Sequence, residues 1–164
     1  MVKDQGPQGN ILVDMDGTMF EYWGWTKWNS FGKPIPAMVE RVLGWIAEGK
    51  DVRIFTARMP LPQDEMVEQT CYKTGEKFNG VMMKKAIADH CEASFGHRLR
   101  AQCYKDLHTI EIWDDRAVGV VANTGQTLGD AAVAEFVALR GKAYRQDDVG
   151  FQTDGHDKLN NARD

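Results

Sequence analysis

The sequence contains no stretch close to the ~18 consecutive apolar residues that a membrane-crossing helix needs, so no membrane partner is expected. Residues 1–9 lack the apolar centre of a secretory signal and read as a polar, flexible leader. Cysteine is scarce: Cys71, Cys91 and Cys103 are odd in number and widely spaced. That excludes a disulfide framework and points to a reducing compartment, the cytoplasm, with the thiols packed as small hydrophobes. His90, Cys91, His97 and Cys103 match no common zinc spacing. Excess positive charge is also missing. Lys and Arg total 20 against 24 Asp and Glu, a net charge of −4, so the surface as a whole does not attract nucleic acid. There is no internal repeat and no long linker. The 164 residues, 43 % hydrophobic and 27 % charged, suffice for one domain with a real core.

What the chain does have begins at Asn10-Ile11-Leu12-Val13-Asp14-Met15-Asp16-Gly17-Thr18. Three apolar residues run into an acidic turn, which predicts a buried strand ending in a loop with two carboxylates. Alternation along an extended segment lets Asp14 and Asp16 share one pocket, and Gly17 permits a sharp turn. Two carboxylates this close repel, so a cation belongs beside them, and a hard one such as Mg2+ takes oxygen ligands.

An aromatic flap over 19–35 follows, with Trp23, Trp25, Trp28 and Phe31 in no clean period. It reads either as a wall that stacks on a substrate base or as a satellite core under a long loop. The second element is a helix opened by Pro34-Ile35-Pro36, with Met38, Val39, Val42, Trp45 and Ile46 as its stripe and Gly49 as its cap. A strand at 51–56 comes next, so strand, helix and strand predict a parallel pair. Helices are expected at about 63–75 and 81–95, strands at 98–104, 109–113 and 118–121, and a helix at 130–140. From 145 to 164 the chain reads as a polar tail. Alternating strands and helices predict an α/β, Rossmann-like three-layer fold with an open, mostly parallel five-stranded sheet, whose ligand lies outside the carboxyl ends of the strands.

Polar residues cluster at those ends. Strand one ends in Asp14 and Asp16, strand two in Thr56 and then Arg58, and the 109–113 strand in Asp114-Asp115-Arg116. Acids that hold a cation and supply a nucleophile, with a hydroxyl and cations for phosphoryl oxygens, describe a phosphoryl-transfer site.

The Asp14-Met15-Asp16-Gly17-Thr18 stretch resembles the nucleophile motif of the haloacid dehalogenase superfamily. Val52-Arg53-Ile54-Phe55-Thr56 resembles its second motif, and Asp114-Asp115 its acidic fourth. For the third-motif lysine, Lys105 is preferred over Lys84 and Lys85. The stretches 34–58 and 105–125 look like small, nearly capless members often carried by bacteriophages, which would place the protein in the host cytoplasm. Thr56-Ala57-Arg58 is also similar to the phosphatase domain of polynucleotide kinases. The resemblance covers about 10–58 and 99–140, with 60–98 unmatched, and sets a catalytic domain at 10–144.

The resemblance implies a Mg2+-dependent phosphatase. Asp14 is the nucleophile and Asp16 the general acid/base. Thr56, Arg58 and Lys105 bind the phosphoryl group. Asp14, the Asp16 backbone carbonyl and Asp114 or Asp115 bind the metal. The expected substrate is a phosphorylated small molecule, a nucleotide, or a nucleic-acid end. Lys84, Lys85, Arg98, Arg100 and Lys105 can line an approach for it, or form a solvated face. Two rival readings are a non-catalytic binder of a phosphorylated ligand and a nucleic-acid-binding accessory domain.

Overall fold

A computed structural model describes residues 9–129 of the chain. The segments 1–8, 130–140 and 145–164, for which a leader, a helix and a polar tail are expected, lie outside the described residues. The chain divides into two compact units, Met1–Ala117 and Val118–Asp164.

In the first unit β1 (Asn10–Asp14) is the most buried element: Ile11, Leu12 and Val13 are all fully shielded. A strand that is apolar on both faces belongs inside a parallel sheet, and β1 sits there. It pairs in parallel with β2 (Asp51–Phe55) on one side and β6 (Thr109–Trp113) on the other. β5 (Arg100–Gln102) extends the sheet beyond β2, also in parallel, so the order is β5-β2-β1-β6. The α/β class and the parallel sheet are therefore as expected, with four strands among the described residues.

Two helices make the crossovers. α1 (Pro36–Ala47) starts on a proline, which costs nothing where the N–H has no helical partner, and buries Val42. Met38, Val39, Trp45 and Ile46 pack against the core beside it. Gly49 closes the connection at φ +77°. α2 (Gly80–Phe95) is capped by Asn79, whose side chain accepts from the Met82 N–H at 3.0 Å, and ends at Gly96. Its buried residues Met83, Ile87 and Cys91 recur every four positions along one stripe.

The helix expected at 63–75 is not there. A single 3-10 turn at Pro62–Asp64 is followed by a short antiparallel hairpin of β3 (Gln69–Thr70) and β4 (Lys77–Phe78). The turn closes through the Gly75 N–H on the Cys71 carbonyl at 2.7 Å, with Gly75 at φ +72°, where a glycine carries no steric penalty. Met66 and Val67, which suggested a helical face, are 75 % and 55 % exposed and pack against nothing that would reward a helix.

In the second unit, the strand expected at 118–121 is represented among the described residues by one antiparallel bridge, Val120 to Thr127. Gly125 (φ +71°) and Asn123 (φ +63°) turn the chain between them. Among the described residues no helix is long and apolar enough to cross a membrane.

The burial pattern separates two apolar positions. Ile87→Ala should cost about 2–5 kcal/mol, as deletion of a packed branched side chain does. Met66→Ala should stay within about 0.5 kcal/mol, as exposed positions do. Urea denaturation of both variants checks the hairpin against the expected helix, which would make Met66 the costlier of the two to lose relative to its exposure.

Candidate active site

Every strand of a parallel sheet ends on the same edge, and the register aligns those ends here. Asp14 lies opposite Phe55, and Val13 opposite Trp113. The residues just past β2 and β6 are Thr56 and Asp114-Asp115, so three chain segments deliver their polar groups to one rim.

The loop after β1 is tied tightly. The Met19 N–H donates to the Asp14 carbonyl at 3.1 Å, Phe20 to Met15 at 2.9 Å, and Gly17 to Phe20 at 2.8 Å. Gly17 adopts φ +96°, and a Cβ there would stand 2.8 Å from an Asp115 carboxylate oxygen. Both the turn and the approach of Asp115 therefore need glycine. Thr18 holds Asp115 from the same loop: its Oγ1 accepts from the Asp115 N–H at 2.9 Å. Asp114 accepts from the Arg116 N–H at 2.6 Å.

Asp14, Asp114 and Asp115 consequently converge, with one carboxylate oxygen from each lying within 4.8 Å of the others. Burial first, and then the charges of Asp114, Asp115 and Asp16, push the Asp14 carboxyl up from 3.8 to about 7. Three oxygen donors without nitrogen or sulfur suit a hard divalent ion such as Mg2+ or Ca2+ rather than zinc. Such an ion would invert the electrostatics and favour ionised Asp14.

Asp16 does not join this group. Arg58 takes its carboxylate in a two-point grip, Nε to Oδ2 and Nη2 to Oδ1, both at 2.6 Å. A third N–H of Arg58 donates to the Ser30 carbonyl of the flap at 3.0 Å. Trp25 and Phe31 cover the guanidinium at 4.6 and 5.2 Å from their ring centres, and only 5 % of the side chain reaches solvent. Cation–π contact and a bidentate carboxylate together hold it rigidly. Thr56 is buried, and its hydroxyl accepts from the Arg58 N–H at 3.2 Å.

His90 supports the flap from α2. Its Nε2 meets the Gly32 carbonyl at 3.0 Å, and its ring packs on Phe20 and Phe31. Burial, with the Arg58 charge as a lesser contribution in the same direction, lowers its pKa. Cys91 is buried, its thiol pushed up to about 12 by burial, which suits a packing role. The flap thus follows the satellite-core reading for Trp25, Trp28 and Phe31, with Trp28 stacked on Phe78 at 5.3 Å. Trp23 is the exception, 88 % exposed.

Lys105 is not brought to the acids. The neighbouring Asp106 accepts from the Asn10 amide at 2.9 Å and from Arg53 at 3.0 Å. Asn10 begins β1, about 13 Å along the strand from Asp14 at ~3.3 Å per residue. The reason is topological. Residues 103–108 run from the carboxyl end of β5 to the amino end of β6 at Thr109, and Asp106 is already tied to Asn10 at that amino edge. Lys84, the fifth residue of α2, pairs with Glu65 at 2.7 Å. Thr18, Trp25 and Phe31 also join the site, none of them foreseen as supports of Asp115 or Arg58.

The raised Asp14 pKa has a stability consequence. Between pH 4 and 7 the folded chain holds more protons than the unfolded one, so without metal its stability falls as pH rises through that window. The full shift corresponds to about 4 kcal/mol, and screening at a partly open rim leaves a part of it. In chelator, Asp14→Asn should melt several degrees above the parent at pH 8 and level with it at pH 4. Equal melting temperatures at both pH values would show that Asp14 is not under this strain.

No protein-family model, curated protein or solved structure matches this chain.

Proposed function

We propose that this chain is a Mg2+-dependent phosphomonoester hydrolase of the haloacid dehalogenase type, its sheet belonging to that superfamily's three-layer α/β/α fold. One observation carries the reading: three parallel strand ends bring Asp14, Asp114 and Asp115 within 4.8 Å of one another, on the rim that also bears the buried Thr56.

The Asp14 carboxylate attacks phosphorus in line. A new O–P bond forms, the ester P–O bond breaks, and an aspartyl phosphate results. Asp16, with one oxygen released by Arg58 and protonated, gives that proton to the departing oxygen and then takes one from the water that attacks the aspartyl phosphate. Inorganic phosphate leaves and Asp14 is restored. Thr56 and Arg58 contact phosphoryl oxygens; Arg58 has three of its five N–H groups engaged, leaving two. Mg2+ held by Asp14, Asp114 and Asp115 would offset the phosphoryl charge and keep Asp14 ionised. Lys105 has no part in the scheme, and Arg58 is the cation at the acid/base. A nucleotide or a nucleic-acid end phosphate fits best, because exposed Trp23 leaves an indole face in the flap for a base.

One observation favours a second reading, a binder of phosphorylated ligands without turnover. The Asp16 carboxylate is already gripped by Arg58, as a purely structural ion pair would be.

A panel of phosphomonoesters with Mg2+ or chelator tests the proposal. Hydrolysis should require Mg2+, and turnover in full chelation would reject the metal site. Asp16→Ala should slow an alkyl phosphate by about 10²–10⁴-fold and an aryl phosphate with a good leaving group far less. Equal losses on both would mean that Asp16 only holds Arg58.

A further inference from the structure

A concavity of about 530 Å3 lies along β5, and none of Asp14, Asp114 and Asp115 is among its lining residues. It runs from the Met59-Pro60 loop, next to Arg58, to Arg98 and Arg100 at the amino end of β5. Its walls carry Arg53, Lys84, Lys85, Arg98 and Arg100 against a single acid, Glu65. The other carboxylates that pair with these cations, Asp51, Asp89, Glu92 and Asp106, are not among the lining residues, so the wall itself presents the positive groups. We propose that this groove binds the sugar–phosphate backbone of a single-stranded nucleic acid. The proposal does not rest on phosphate hydrolysis at the acid cluster.

The cations can be reached. The Lys85 and Arg100 side chains are 74 % and 73 % exposed, and Arg98 about half. Each has a carboxylate partner, but the partners are shared. Asp89 serves Lys85 and Arg98, which also meets Glu92, and Asp51 serves Arg100 and Arg53, which also meets Asp106. Lys84 is held by Glu65. Exposed ion pairs of this kind contribute little, so a phosphate can replace a carboxylate at small cost. The five charges come from α2, β2 and the entry to β5 rather than from one point, which suits a chain of phosphates and not a single anion. A concave shape favours a thread over a flat anionic surface. Tyr104, exposed in the same wall, offers a ring for a base, and a charged groove with an aromatic platform is how single strands are held without sequence preference.

The test is fluorescence anisotropy of the full chain with labelled oligothymidylate that lacks terminal phosphates, in EDTA, across a salt series. Neither an end phosphate nor a metal is then present, so the outcome is independent of catalysis at Asp14. Binding should weaken with salt by a log–log slope of about −0.7 per phosphate contacted. The triple variant Lys85→Gln, Arg98→Gln, Arg100→Gln should bind at least about ten-fold more weakly, with a slope flatter by about 2. Tyr104→Leu should lose about five-fold or more with the slope unchanged. Circular dichroism melts show whether the variants remain folded. Ultraviolet cross-linking of the unaltered chain supplies a second reading, with the adduct expected on Tyr104. Absence of binding at low salt, an unchanged triple variant that is folded, an adduct confined to other segments, equal affinity for duplex, or equal displacement by polyglutamate would each overturn the proposal.

Discussion

The parallel pairing of β1 on both its edges is the constraint on which the rest of the molecule depends. Ile11, Leu12 and Val13 have no exposed face, so β1 is stable only when enclosed by neighbours on every side. β2 and β6 enclose it in the same direction, and that direction decides where every polar residue goes. Acids that follow β1 and β6 meet on one rim. Residues that precede β6 go to the other, where Asn10, Arg53, Asp106 and Thr109 form a hydrogen-bonded cluster. The Asn10 amide, then the His108 N–H and Arg53, hold the Asp106 carboxyl below its usual range against the opposing effect of burial. One edge of the sheet is thus tied together by satisfied polar groups, while the other gathers like charges.

Those like charges divide into two groups with opposite electrostatics. Asp14, Asp114 and Asp115 face one another within 4.8 Å, and burial, with the charges of Asp114 and Asp115, raises Asp14 to about 7. Asp16, two residues along, has Arg58 on both its oxygens. Two carboxylates so close in sequence, in such different surroundings, can take different roles. The aromatic flap makes the difference possible: Trp25 and Phe31 exclude water from Arg58 and hold it flat against Asp16. The flap is anchored in turn by the Ser30 and Gly32 carbonyls, bound by Arg58 and His90. Gly32 is needed there, since a Cβ would fall 1.7 Å from the Glu21 carbonyl oxygen.

Much of this could be read from the sequence because the deciding interactions are local. The apolar run before Asp14, the proline and glycine around α1, the alternation of Val52 and Ile54, and the four-residue stripe of α2 each declare their element within a short window. The hairpin at 69–78 escaped because Met66, Val67 and Thr70 happen to fall at helical spacing, while the Cys71–Gly75 turn that decides the matter has no apolar signature. Arg58 on Asp16 spans 42 positions, beyond the reach of any local pattern. Lys105 shows a different limit: its spacing from Asp114 is local, whereas the edge at which β6 is entered depends on the parallel pairing of β1 with β6. The acid trio, by contrast, followed from strand ends alone.

The central claim is that this rim makes Asp14 a nucleophile toward phosphorus. Borohydride quenching during turnover of an aryl phosphate with Mg2+ tests it most directly, because the hydride reduces an acyl phosphate to an alcohol and leaves a free carboxylate untouched. Mass spectrometry of the peptide that carries position 14 should find homoserine in place of Asp14 only when substrate and Mg2+ are both present, with Asp16, Asp114 and Asp115 unaltered. Turnover that proceeds with an unmodified Asp14, or with the reduced residue at another position, would contradict the account.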